Sequence, residues 1–128
     1  MNKVLALAAA GEAATGLVLL VYPPIVARLL IGAEISGAGV VMSRIAGISL
    51  IALGLACWAG GYGGSRADRA LWGMLTYSLL ATLYMGYLGI VGEFVGILLW
   101  PAIVVHAVLT LLLARAWFKD RQTRGTKP

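Results

Sequence analysis

The chain has 128 residues, of which 61% are hydrophobic and only 12% charged, and its mean hydropathy is +0.93. These values lie well outside the range of soluble domains and leave no room for a separate soluble domain. The net charge of +5 is carried largely by a short basic tail, without the aromatic-interleaved groove that a nucleic-acid partner would require.

Four apolar stretches cover most of the chain: residues 4–22, 37–59, 70–90 and 94–117. Each is close to the 20 or so residues that a helix needs to cross a bilayer core. No stretch alternates apolar and polar residues as a strand would. The sequence therefore predicts an all-α fold, an integral membrane bundle of four antiparallel helices. It forms a single transmembrane domain over 1–128, with a basic tail at 118–128.

The first stretch begins after Asn2-Lys3 and contains small residues that resemble the cleavage site of a signal peptide. Its apolar character continues past those residues, so it is predicted to form an uncleaved spanning helix. Pro23 and Pro24 end this helix. The segment 25–31 that follows is apolar but too short to span. It is predicted to form a short helix in the membrane interface, ended by Gly32.

The second stretch carries Gly39, Ser43 and Gly47 four residues apart, on one face of a helix. Small residues in this pattern let another helix approach closely in lipid. The partner is either another helix of the same chain or a second copy of the chain. The same stretch contains Cys57, the only cysteine, so no disulfide can form within the chain.

A glycine-rich loop at 60–65 precedes the third stretch and lacks the spacing of a phosphate-binding loop. The third stretch presents Tyr77 and Tyr84 on one face. A turn at 91–93 joins it to the fourth stretch, where Pro101 is predicted to kink the helix.

Basic residues cluster on the side of the bundle that holds the N-terminus, the loop at 60–65 and the tail, while the opposite side has only Arg28. The positive-inside rule then places both termini in the cytoplasm. The tail is expected to contact anionic headgroups of the lipid bilayer.

Five polar side chains fall at one predicted depth between the outer leaflet and the bilayer midplane, when depth is counted at 1.5 Å of rise per residue. They are Glu12, Arg44, Tyr77, Tyr84 and His106. Ionisable groups in lipid are costly and usually mark a partner, a cavity or a function. The sequence therefore predicts a polar centre, built from all four helices.

Glu12 and Arg44 are the expected ion pair of this centre, because each would be costly in hydrocarbon without the other. The pair either locks two helices in register or presents Arg44 to a ligand carbonyl or anion. His106 is expected to bond to Thr110 or Tyr77, or to relay protons with Glu12 and a tyrosine. One histidine without a cysteine partner predicts no metal site, and the missing nucleophile and paired carboxylates predict no catalytic residue.

One motif in the second stretch resembles a family. "SRIAGISLIALGLACW", over Ser43–Trp58, follows an acidic first stretch and the connector "ARLLIGAEISGAG". This layout resembles the DoxX-like group of small bacterial membrane proteins. The resemblance implies a four-helix inner-membrane protein, with some relatives associated with quinone-linked redox complexes.

The leading functional prediction is a non-catalytic membrane protein whose polar centre binds a small amphipathic molecule such as a quinone, or presents it to a partner enzyme. A quinone head offers carbonyl acceptors, while its tail can remain in lipid. Two alternatives stay open: a transporter formed by a homo-oligomer, and a purely structural or accessory subunit of a membrane complex.

Overall fold

The computed structural model describes residues 2–60 and 64–126 and contains five α-helices in these two ranges. They are α1 (Lys3–Val21), α2 (Pro23–Ile31), α3 (Ala38–Gly60), α4 (Gly64–Val91) and α5 (Leu99–Gly125). No strand occurs in the described part of the chain. The predicted all-α class is confirmed.

Four of these helices, α1, α3, α4 and α5, are long and apolar enough to cross a membrane. Their outer surfaces carry large apolar side chains that are more than half exposed, such as Leu7, Leu55, Leu83 and Leu111. A protein of this size in water would bury such residues, whereas a bilayer solvates them. The chain is a small multi-pass integral membrane protein with a helical-bundle fold.

Helices α4 and α5 each extend well beyond one of their predicted boundaries. Helix α4 begins at Gly64, six residues before the predicted start, and α5 runs to Gly125, eight residues past the predicted end. The polar ends of the two helices meet each other, which explains the extra turns. Arg124 donates to both oxygens of Asp68 at 2.6 and 3.2 Å, and it also contacts Asp120 at 2.9 Å. Much of the predicted tail is therefore helical.

Pro101 does not interrupt a helix. Helix α5 begins at Leu99, later than the predicted residue 94, so Pro101 lies in its first turn. The first backbone N–H groups of a helix have no partner within it, so a proline there removes no hydrogen bond. The predicted kink is wrong for this reason, and the predicted turn at 91–93 is replaced by a longer connector from Gly92 to Leu98.

Helices α1 and α3 pack with almost no side chains between them. A Cβ added at Gly16 would lie 2.5 Å from the carbonyl oxygen of Gly47, and one added at Gly54 would lie 2.6 Å from that of Ala9. Early residues of α1 thus meet late residues of α3, and the two helices run in opposite directions. Of the three small residues in the predicted packing pattern, Gly47 lies on this contact. A Cβ at Gly39 would meet Ile35 of the preceding connector.

Helices α4 and α5 form the second close pair, also with opposite directions. The Trp72 and Trp117 rings meet edge to face at 5.5 Å near one end, and Gly89 faces the Trp100 ring near the other. The two pairs join through a buried apolar cluster contributed by all four long helices. Its members are Leu5, Ala8, Ala9, Cys57, Leu71, Met74 and Leu113.

We call the end of the bundle that holds Lys3, Arg66, Arg69, Arg121 and Arg124 the basic end, and the other the connector end. At the connector end, the backbone of α2 pairs with the segment before α5. Gly96 N–H donates to the Leu30 carbonyl at 3.0 Å, and Leu98 N–H donates to the Leu29 carbonyl at 2.8 Å. No Cβ would fit at Gly96, because it would overlap the Leu29 carbonyl.

Candidate functional site: a buried glutamate–histidine pair

Glu12 lies at the middle of α1, about 14 Å of helical rise from either end. It continues the buried stripe formed by Leu5, Ala8, Ala9 and Gly16, whose spacing of three or four residues defines one helix face. Its side chain is only 7% exposed. The carboxyl group therefore points into the bundle, directly above the buried apolar cluster.

The partner of Glu12 is His106 on α5. The His106 Nε2 atom lies 3.2 Å from Glu12 Oε1, and the histidine side chain is 17% exposed. The other ring nitrogen, Nδ1, lies 2.9 Å from the carbonyl oxygen of Ala102, one turn earlier on the same helix. Both nitrogens of the ring are therefore engaged, and the ring orientation is fixed from two sides.

This geometry determines how many protons the pair holds. A carbonyl oxygen can only accept, so Nδ1 must carry a hydrogen and donate it to Ala102. The contact between Nε2 and Glu12 then needs one further proton, on either atom. The pair is a neutral imidazole beside a carboxylic acid, or an imidazolium beside a carboxylate. Both forms have zero net charge, which lowers the free-energy cost of burying the pair in a membrane interior.

Two hydroxyl groups of α4 lie at the same level of the bundle. The Tyr77 ring meets the His106 ring edge to face, with centroids 6.1 Å apart, and its hydroxyl lies near the Glu12 carboxylate. The next residue, Ser78, is completely buried, and its hydroxyl has no hydrogen-bond partner in the described ranges. We call Glu12, Tyr77 and His106 the polar cluster.

The predicted ion pair between Glu12 and Arg44 is not formed. Arg44 is exposed on the surface of α3 and makes no ion pair or hydrogen bond with any described residue. The buried face of α3 is defined by Gly47, Gly54 and Cys57 instead. Gly47, three residues after Arg44, contacts Gly16 and Leu19, so Arg44 lies about 10 Å of helical rise nearer the connector end than Glu12.

Tyr84 also lies outside the cluster. Its side chain is 64% exposed and its ring stacks on that of Tyr87 at 6.5 Å. Two turns along α4 separate it from Tyr77, and the small deviation of a helix from a seven-residue repeat turns it further towards the surface. The structure thus brings together three of the five predicted residues, Glu12, Tyr77 and His106.

Of the partners predicted for His106, Glu12 and Tyr77 contact its ring, whereas Thr110 contacts only its backbone. Thr110 does contact His106, but its hydroxyl donates to the backbone carbonyl at 2.7 Å and leaves the ring free for Glu12. Ser78 was missed by sequence reasoning, because a serine in a helix commonly satisfies its hydroxyl on its own backbone. The available signal was its position four residues after Met74, on the buried stripe of α4.

No three His, Cys, Asp or Glu side chains come together as a metal-binding group within 2–60 and 64–126. A comparison with models of protein families, with curated proteins and with solved structures finds no match to this chain. The functional assignment accordingly rests on the chemistry of the polar cluster.

Proposed function

We propose that this protein binds the polar head of a small amphipathic molecule of the quinone class at the polar cluster, as a ligand-binding or accessory protein of the bacterial inner membrane. The observation that carries the proposal is the one-proton pair of Glu12 and His106 in the middle of a spanning bundle. A proton that two groups share without a change in net charge can be offered to a ligand carbonyl inside lipid.

Two further features support this proposal. The Tyr77 hydroxyl is a second donor at the same level. The His106 side chain is more exposed than that of Glu12, so the cluster reaches the bundle surface at His106. A ligand head could therefore enter sideways from the bilayer while its apolar tail stays among the acyl chains.

The test is quinone binding by the purified full-length protein in lipid nanodiscs. We expect a stoichiometric amount of a long-chain quinone to bind and to raise the melting temperature, and we expect Glu12→Gln to weaken binding about tenfold or more through loss of the shared proton. Arg44→Gln is the matched control, because it removes a polar group from the bundle surface and should leave binding unchanged. Equal binding by Glu12→Gln and wild type would overturn the proposal.

A structural role is the second candidate, and one observation favours it. Glu12 belongs to the helix pair α1–α3 and His106 to the pair α4–α5, so their contact joins the two halves of the bundle. The double variant Glu12→Leu with His106→Leu separates the two functions. If it folds normally and also retains quinone, the pair only holds the helices together.

Two further predictions from the sequence remain proposals. The relationship to DoxX-like proteins is proposed on the layout of the stretches and the motif at Arg44–Trp58. Transport by a homo-oligomer is the other, and flux into proteoliposomes that depends on Glu12 would support it.

A further inference from the structure

A groove at the basic end separates helices α3 and α4. It has a volume of about 450 Å³, and its lining includes Leu53 and Gly60 of α3 and Arg66, Arg69 and Gly73 of α4. It exists because α3 and α4 belong to different helix pairs and touch each other less extensively than either touches its own partner. The Cys57 thiol, 3.5 Å from the Ala70 carbonyl, closes its inner side.

The two arginines of this groove take no part in the ion pairs between charged side chains. Arg28 is paired with Glu34, and Arg124 with Asp68 and Asp120. Within the described ranges Arg66 and Arg69 have no acidic partner, and Arg69 contacts only the Ser65 backbone and hydroxyl at 3.4–3.5 Å. Two guanidinium groups three residues apart on one helix face thus present uncompensated positive charge at the groove mouth.

The wall beneath these charges is apolar and made of small residues. Gly73 lies one turn from Arg69 towards the middle of the bundle, and a Cβ added there would meet no atom within 4 Å. Leu53 faces it from α3. The groove therefore combines a cationic mouth, at the level where headgroups lie, with an apolar channel that leads into the hydrocarbon region.

We propose that this groove is a binding site for one anionic phospholipid. The phosphate accepts hydrogen bonds from Arg66 and Arg69, and an acyl chain lies along Leu53 and Gly73. Guanidinium groups suit this ligand because their planar fork binds two phosphate oxygens at once. The site is separate from the polar cluster, which lies nearer the middle of the bundle, and does not depend on the function proposed there.

The experiment is native mass spectrometry of the full-length protein in detergent, supplied with phosphatidylglycerol or phosphatidylcholine. We expect one phosphatidylglycerol to be retained in preference to phosphatidylcholine. Arg66→Gln with Arg69→Gln should reduce this retention roughly tenfold or more, because both cationic partners of the phosphate are lost. Lys3→Gln with Arg115→Gln removes the same charge at the same end of the bundle and should not reduce it.

A second pair of variants tests the channel without changing any charge. Gly73→Leu fills it and should weaken retention, whereas Gly86→Leu, on the same helix and also open within 4 Å, should not. Equal losses in the two charge-removing double variants, equal retention of the two lipids, or no effect of Gly73→Leu would overturn the proposal. Displacement of the lipid by millimolar inorganic phosphate would also overturn it, since the groove would then be a site for a free anion.

Discussion

The proton shared by Glu12 and His106 connects the chemistry of single residues to the fold. Each group alone would leave an unsatisfied polar atom in a membrane interior, and together they satisfy each other at 3.2 Å. The hydrogen bond from Nδ1 to the Ala102 carbonyl fixes the orientation of the ring, with Nε2 facing the carboxyl group. It also requires that Nδ1 carries a hydrogen. The pair is therefore preorganised to hold one proton before any ligand arrives.

This mutual dependence predicts a characteristic result for a double-mutant cycle. Glu12→Leu or His106→Leu alone should lower the free energy of unfolding by about 2 kcal/mol, because each leaves a buried polar partner without its hydrogen bond. The double variant should recover most of that loss, since no orphaned group remains. Unfolding in mixed detergent micelles measures all four proteins.

Arg44→Leu is the control for this cycle, and its effect should stay within about 0.5 kcal/mol, as for a surface substitution. Additive losses in the double variant would contradict the pairing of Glu12 with His106. A loss on Arg44→Leu as large as that on Glu12→Leu would restore the pairing of Glu12 with Arg44 that the sequence suggested.

The sequence could predict that these residues lie within the apolar stretches, but not how the helices align or which way each side chain points. Counting residues along each stretch places Glu12, Arg44 and His106 in one slab. In the structure Gly47 contacts Gly16 and Leu19, so Arg44 lies about 10 Å of helical rise nearer the connector end than Glu12. The rotation of each helix depends on which face packs, and for α3 that is decided by the glycines that contact α1. Ion-pair chemistry favoured arginine as the partner of Glu12, while packing selected histidine.

Among the contacts between two helices, the contact of α1 with α3 leaves the least room for an added Cβ. The atoms that a new Cβ would meet at Gly16 are the Gly47 carbonyl oxygen at 2.5 Å and the Ile51 backbone nitrogen at 2.9 Å. Backbone atoms cannot move aside as the end of a side chain can. The two helices would have to separate, and that would also displace Glu12.

We therefore expect Gly16→Ala to lower the free energy of unfolding by about 2 kcal/mol or more, through forced separation of the helices. Gly11→Ala is a matched control on the same helix, because a Cβ there meets no atom within 4 Å and should change stability by no more than about 1 kcal/mol. Thermal denaturation in one detergent compares the two. Equal effects would show that α1 and α3 do not meet at Gly16.

The ends of a helix were predictable where residues at those ends determine them. Pro23 at the start of α2 and Gly32 at its end, with φ of 66°, are local signals that the sequence displays. The connector before α5 was not predictable, because Gly96 is fixed by its contact with the Leu29 carbonyl, far away in the chain. The same limit explains the early start of α4 and the late end of α5, which meet through Arg124 and Asp68.

At the scale of the whole molecule, charge asymmetry predicts the orientation in the membrane. The basic end holds the first residue of α1, Lys3, and the last residue of α5, Gly125, and we propose that it faces the cytoplasm. In a Cys57→Ala background, Ser36→Cys at the connector end should react with a membrane-impermeant maleimide added to intact bacterial cells. Gln122→Cys at the basic end should react only after the cells are permeabilised. The reverse pattern would invert the proposed topology.

The proposed binding site depends on the proton between Glu12 and His106, and this proton can be observed directly. His106 is the only histidine, so ¹⁵N-histidine labelling gives the signals of one ring without assignment. Solid-state NMR of the protein in lipid bilayers should show Nδ1 carrying a hydrogen and Nε2 in a strong hydrogen bond that changes on Glu12→Gln. A bare Nδ1, with Nε2 protonated and unaffected by Glu12→Gln, would contradict the pairing.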